Sequence, residues 1–454
     1  MAEPVIWVVG GGLAGSEAAW QIARAGYPVT LYEMRPMVET GAHRTGGLAE
    51  LVCSNSLGSK LPDRASGVLL EEARRLGSLL VREAEASAVP AGGALAVDRE
   101  AFSARVTRAL EAHPLVSIVR QEVRQIPEGI GVLASGPLTS PALSQALRAL
   151  AGADHLYFYD ALSPIVEADS VDGAIAFRGS RYGRGESGDG DYLNCPLSRE
   201  EYESFVGALA LADRIPLREF EEAIASGVRA GPDRFFEGCL PVEILANREM
   251  LALAYGPLRP VGLADPRTGR RPYAVVQLRQ DNLAGSLYNL VGFQTNLTQS
   301  EQQRVFRMIP GLGKARFVRY GQMHRNTFVN APEILDSTLE VRRRPGLFLA
   351  GQITGVEGYL GNIATGLLAG MNAVRATRGE ARLDLPRETM VGALCHYISH
   401  AESRSFQPMK ANFGLLPALD GPAVRDRRRR QELHAERSRL VVSAFLEASL
   451  VACA

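Results

Sequence analysis

The chain has 454 residues, enough for two or three domains, and its 46% apolar and 22% charged fractions exclude disorder as the main state. Fifty basic and fifty acidic side chains cancel to a net charge of zero, so any polyanion site has to be a local patch. Only three of the bases are lysines, a bias that base composition explains.

The five cysteines (Cys53, Cys195, Cys239, Cys395, Cys453) are widely spaced and contain no CxxC pair. That argues against a disulfide framework or a thiolate zinc site and fits a reducing, cytoplasmic setting. Glu3 and Pro4 stand where a signal peptide would carry basic residues, so none is expected. The apolar tail, residues 440–454, is too short to span a bilayer and predicts a docked terminal helix.

Val5, Ile6, Trp7, Val8 and Val9 form an apolar run, β-branched at most positions, that predicts a strand. Gly10, Gly11, Gly12, Leu13, Ala14 and Gly15 follow, and then Ala18, Ala19, Ile22 and Ala23 recur at helical spacing up to Gly26. Residues 29–32 predict a second strand with Glu33 at its end. This is a βαβ unit with GxGxxG at its first turn. Gly10 permits the tight turn, Gly12 lets the backbone approach a pyrophosphate, and Gly15 lets the helix pack close to the strand. The helix start offers unpaired N–H groups to phosphate. Glu33, 18 residues beyond Gly15, can accept hydrogen bonds from ribose hydroxyls, and Arg35 is assigned to the same site. Together these parts predict dinucleotide binding.

Further along, residues 68–88 and 98–110 predict helices, and 116–119 and 131–134 predict strands, the latter ending in Ser135, Gly136 and Pro137. Near the other end, residues 347–350 predict a strand followed by Gly351, Gln352 and a turn through Gly355 and Gly358. A helix of small residues (Ala364, Gly366, Ala369, Gly370) then runs from near Tyr359 to about residue 373. Glycine turns after strands at both ends predict an α/β fold. Its core is a doubly wound, Rossmann-like FAD-binding domain built from both ends of the chain, with an inserted α+β domain. The expected boundaries are 1–190, 191–330 and 331–454. Within the insertion, helices are expected at 200–211 and 217–226, strands at 273–278 and 287–291, and a capping box at Ser300 and Gln303.

The second turn favours FAD over NAD, because a tightly held flavin needs one segment for its ADP half and another for the ribityl chain and ring. The helix starting near Tyr359 can direct its N-terminus at the ring's N1/C2 edge. Gly311, Leu312 and Gly313 lack a third glycine and a preceding strand, so a reduced nicotinamide would visit the flavin only transiently. Residues 41–60, polar and glycine-rich around Cys53, follow the second strand and are expected near the ring. From spacing alone, Cys53 is a small buried hydrophobe or a nucleophile, and Cys239 has the same ambiguity.

Several motifs sharpen this. The start at 10–15, Glu-Leu-Val-Cys-Ser-Asn-Ser-Leu (50–57), Phe-Glu-Gly-Cys-Leu-Pro-Val-Glu (236–243) and Tyr-Gly-Pro-Leu-Arg-Pro-Val-Gly-Leu (255–263) occur in order. So do Met-His-Arg-Asn-Thr-Phe (323–328), Gly-Gln-Ile-Thr-Gly-Val-Glu-Gly-Tyr (351–359) and Asn-Phe-Gly-Leu-Leu-Pro (412–417). Together they resemble the folate- and FAD-dependent tRNA (uracil-5-)-methyltransferase family, TrmFO. Gln352 departs from the Asp common in flavoproteins, but related tRNA-modifying flavoproteins also carry Gln there.

The resemblance implies that 5,10-methylenetetrahydrofolate supplies one carbon to C5 of the T-loop uridine at position 54 of tRNA. FAD would act as reductant and NAD(P)H as electron source. It implies that Cys53 and Cys239 share two tasks, addition to uracil C6 and removal of the C5 proton, without saying which does which. Phosphate contacts are expected from Arg325, from Arg342 to Arg344 with Arg343 at their centre, and from the run Arg427 to Arg430 around Arg428. That last run also fits an ordinary solvated helix. His396 and His400 share a helix face but lack the Glu of HExxH, which favours a packed or surface pair over a metal site. Tyr359 either stacks on a ligand or packs inward. Rival readings are the sister flavoproteins acting on the wobble uridine, an NAD(P)H-dependent small-molecule oxidoreductase, and an RNA-binding module without catalysis.

Overall fold

The computed structural model describes residues 4–40, 42–152, 156–161, 163–183, 190–215, 240–422 and 424–451. Strand β1 (Ile6–Val9) is buried along its whole length, as expected for a strand covered on both faces. It lies parallel to β2 (Val29–Glu33) on one side and to Gly131–Leu133 on the other. Val116–Arg120 extends the sheet beyond β2, and Leu347–Leu349 extends it beyond Gly131–Leu133. All five strands are parallel and both ends of the chain contribute, which is the predicted doubly wound α/β arrangement.

Helix α1 (Leu13–Arg24) packs against the helix Tyr359–Thr377. A Cβ at Gly366 would stand 2.1 Å from Ala14 O, and one at Gly370 would stand 2.6 Å from Ala18 O. The two helices therefore touch backbone to backbone, which only these glycines allow.

Where periodicity predicts one helix over 68–88, there are two, Ala65–Arg75 and Leu79–Glu85. Gly77 adopts φ +83° and Ser78 caps the second helix by accepting from Val81 N, so the apolar pattern runs through a backbone break. Asp98 caps Arg99–Glu111. The terminal helix begins earlier than the apolar tail indicates and spans Arg427–Val451.

The second sheet is antiparallel, in the order Phe177–Gly179, Tyr192–Leu197, Ala274–Gln280, Leu287–Leu290, Ile165–Glu167, Phe317–Arg319. It takes strands from Ile165 onward, upstream of residue 191. Tyr202, Phe205, Phe293 and Phe306 fill its core. Helix Arg199–Ala210 starts with a complete Ser198–Glu201 capping box. Thr298, not Ser300, caps the helix Gln299–Phe306, because its hydroxyl is the one that accepts from Glu301 N. The helix expected at 217–226 lies outside the described residues. One register line crosses this sheet through Tyr192, Arg279, Asn289, Ile165 and Arg319, which puts those side chains on one face. Among the described residues no helix is long and apolar enough to cross a membrane.

Candidate active site

Two adjoining clefts meet at the carboxyl ends of the parallel strands, where an open α/β sheet binds its ligands. The first is lined by Gly10, Gly12, Leu13, Ala14, Glu33, Arg35, Gly136, Gly351, Gln352 and Tyr359. The second is lined by Cys53, Ser54, Gly358, Lys410 and others. Val52, Pro137, Leu138, Gln352, Tyr359 and Asn362 border both. Every predicted cofactor residue except Gly11, Gly15 and Gly358 therefore borders the first cleft; Gly358 borders the second.

The glycine turn divides its labour. Gly10 has φ +103°, and a Cβ there would lie 2.4 Å from Ala134 O. A Cβ at Gly15 would lie 1.8 Å from Gly10 O, so this glycine seats α1 against the turn. A Cβ at Gly12 would meet nothing within 4 Å, leaving open the space a pyrophosphate needs. Neither α1 nor Tyr359–Thr377 has a side-chain cap or an acid in its first turn, so both present bare positive ends at the clefts. Asn362, buried in the first turn of the second helix, has an Oδ1 with no hydrogen-bond partner. These features fit a dinucleotide with a second polar group at the junction.

Glu33 accepts from Gly11 N at 2.8 Å and from Arg35 N and Nε, each at 2.9 Å. Burial alone would raise its carboxyl, but the hydrogen bonds and charge of Arg35 outweigh that and hold it below the ordinary value. Arg35 also binds Glu50 Oε2 at 2.9 Å and the carbonyls of Thr45 and Gly47. It therefore ties the segment leading to Cys53 onto the turn.

Cys53 is half-buried at the wall of the second cleft. The Tyr359 phenol oxygen accepts from Cys53 N at 2.9 Å and Ser54 N at 3.0 Å, so this ring braces the cysteine segment while bordering both clefts. Burial, and then the neighbouring Cys53, push its phenol well above the ordinary value, so it stays protonated. Three arginines grip the same segment. Arg99 donates to Leu51 O at 2.9 Å and Cys53 O at 3.3 Å. Arg279 donates to Ser54 Oγ at 2.7 Å and Asn55 Oδ1 at 2.8 Å, and Arg319 donates to Val52 O. Sequence reasoning missed all three. The available signal was a charged residue inside the otherwise buried strand Ala274–Gln280.

Cys195 and Cys395 are core residues; burial pushes the Cys195 thiol up to about 12 and that of Cys395 higher still. Cys239 lies outside the described residues. Arg325 falls on the strand Met323–Phe328, paired with Leu156–Ala161. Arg343 is exposed, whereas Arg342 donates to Ser399 O and Arg344 to Pro127 O. Arg428 is exposed and ion-paired with Glu432 at 3.1 Å. His396 and His400 stack ring on ring at 4.2 Å. Among the described residues no three His, Cys, Asp or Glu side chains gather as metal ligands would.

A family model described as "GIDA: Glucose inhibited division protein A" matches residues 5–381. The chain is 58% identical over 446 residues, 98% of both chains, to the methylenetetrahydrofolate--tRNA-(uracil-5-)-methyltransferase TrmFO of Symbiobacterium thermophilum. It is 54% identical to the protein of that name from Brevibacillus brevis, covering 98% of this chain and 99% of that one. The chain belongs to the TrmFO family. Among solved structures, Aquifex aeolicus GidA in its form I crystal superposes with a TM-score of 0.67 at 16% identity, over 96% of this chain and 76% of that one. That likeness confirms the fold. Of the TrmFO motifs quoted from the sequence, 10–15 lines the first cleft, 323–328 reaches the second through Asn326, and 50–57 and 351–359 line both.

Proposed function

We propose that this chain is a flavin-dependent methylenetetrahydrofolate–tRNA (uracil-5-)-methyltransferase that forms 5-methyluridine at T-loop position 54, with NAD(P)H as electron source and the cytoplasm as its place of action. The names of its relatives support the reaction class. The observation that carries the reading is Cys53 on the wall of the second cleft, with its backbone N–H bonded to Tyr359, the ring that borders both clefts at a bare helix start.

The residues present fit FAD. Gly10 to Gly15 and the α1 N-terminus would hold its pyrophosphate, Glu33 its ribose, and Gly351, Gln352 and the start of Tyr359–Thr377 its ring. The cofactor, when bound, supplies the two electrons by which a methyl exceeds the methylene that folate carries. The remaining work belongs to the chain. The T-loop uridine is stacked in folded tRNA, so the enzyme extracts it at a cost of a few kcal/mol, which phosphate contacts offset. A thiolate from this cysteine pair, Cys53 or Cys239, adds to C6 of the uracil and makes C5 enolate-like. C5 bonds to the one-carbon unit as that carbon's bond to one folate nitrogen breaks; its bond to the second nitrogen breaks as well, and the carbon becomes a methyl with the hydride equivalent that the bound cofactor would supply. The C5 proton leaves to a base, and expulsion of the thiolate restores the ring. Cys53 and Cys239 share the roles of nucleophile and proton acceptor.

The test combines purified protein, methylenetetrahydrofolate, NAD(P)H and undermethylated tRNA. The expected product is 5-methyluridine, and S-adenosylmethionine does not replace the folate. Cys53→Ala and Cys239→Ala keep the yellow flavin but lose methyl transfer. Full activity in both single variants refutes the cysteine chemistry, and the absence of product with the wild type refutes the reaction.

A further inference from the structure

Arg279 and Arg319 are each about nine-tenths buried, and among the described residues neither has a carboxylate within salt-bridge distance. A buried guanidinium is costly unless an anion compensates it. Arg99, the third member of the group, is neutralised by Asp281 at 3.2 Å. The other two bind only neutral acceptors, all on residues 52–55. Their position is set by the second sheet, whose register line carries Arg279 and Arg319 on the face turned toward the cysteine segment.

We propose that Arg279 and Arg319 are positioning residues whose charges, held by no salt bridge among the described residues, stabilise the thiolate of Cys53, the one group on the segment they grip that can supply an anion. This rests on the reading of Cys53 as one of the two reacting thiols, since either role uses its thiolate. The proton released goes to solvent through the open cleft. The other groups facing this thiol are Arg99 with Asp281, the protonated Tyr359, and Glu357 and Lys410 across the second cleft. Tyr192 lies next to Arg279 on the sheet, and Arg44 adds a further positive charge acting on Arg319. Burial lowers both arginines, Arg319 to about 10; repulsion from Arg99 adds to the effect at both and from Arg44 at Arg319, while Tyr192, Asp281 and then Cys53 raise Arg279 in return, and Tyr359 and then Cys53 raise Arg319. A thiol beside arginine ionises well below its ordinary range.

The experiment measures iodoacetamide alkylation of Cys53 in the FAD-loaded protein as a function of pH, read on the Cys53 peptide by mass spectrometry. In the wild type the midpoint is expected below the ordinary thiol value of about 8.5. Arg279→Gln and Arg319→Gln raise it by about one unit each, slowing alkylation at neutral pH up to about tenfold. Arg319→Lys, which keeps the charge and loses the planar fork, restores most of the shift. A wild-type midpoint at or above the ordinary value overturns the proposal, as does an unshifted midpoint in a folded Gln variant. Equal shifts in Arg319→Lys and Arg319→Gln overturn it as well, because the fork's geometry would then be what matters. Should Arg279→Gln fail to fold, Arg319→Gln, which gives up a single hydrogen bond, and the wild-type midpoint still decide. No step of this assay needs tRNA or folate, so loss of the methyltransferase reading and loss of this one are separable.

Discussion

The three glycines of the first turn look alike in sequence and differ in what an added methyl would meet. At Gly15 it would collide with Gly10 O at 1.8 Å, and backbone cannot move aside as a side chain can. Gly15→Ala is expected to destabilise the fold by about 1–3 kcal/mol or more, seen as a lower urea midpoint. At Gly12 the methyl enters open space. Gly12→Ala should therefore melt like the wild type yet purify with little visible flavin absorbance. If Gly12→Ala retains full flavin, the phosphate approach has been misplaced. Such glycines were legible because their role is a backbone property that residue type alone encodes. Arg279 and Arg319 were not, because strand register sets their role and one sequence does not reveal register.

Among the elements, the junction of three helices around Glu72 has a pH dependence of its own. Its carboxylate, wholly buried in Ala65–Arg75, accepts from Met390 N and Val391 N at the start of Met390–His400 and from Ser438 on the terminal helix. Burial outweighs these bonds and raises the group to about 7. A carboxyl raised on folding contributes stability that is complete below its unfolded value and is lost as pH climbs through the folded one. The chain should thus lose up to a few kcal/mol between about pH 5 and 8, and Glu72→Gln should flatten that slope in urea unfolding. An equally steep slope in the variant would assign the effect to other groups. Element type was legible where apolar spacing was unbroken, as in α1 and the parallel strands. It failed at Gly77, where one break splits a continuous apolar pattern into two helices, and at Thr298, where the cap depends on which hydroxyl reaches Glu301 N.

Over the whole molecule, a zero net charge means that tRNA affinity has to come from a few placed cations. Arg343 is exposed with no ion-pair partner among the described residues, whereas Arg428 shares its charge with Glu432. Arg343→Gln is expected to lower the slope of log affinity against log salt by about one, and Arg428→Gln by less. Identical slopes in both variants and the wild type would move the footprint elsewhere. The architecture was legible at this scale because glycine turns follow strands at both ends of the chain. The reach of the second sheet upstream of residue 191 was not, since Ile165–Glu167 and Phe177–Gly179 are three-residue strands too short to show a period.

The close contact of α1 with Gly366 and Gly370 also imposes an order on synthesis. The ribosome delivers the nucleotide turn first, but the strand Leu347–Leu349 and the helix covering α1 come more than 300 residues later. Until then the early half waits with one sheet edge open and an apolar helix face bare, a surface for chaperones to shield. Capture of the yellow cofactor therefore belongs among the last events in the birth of the chain.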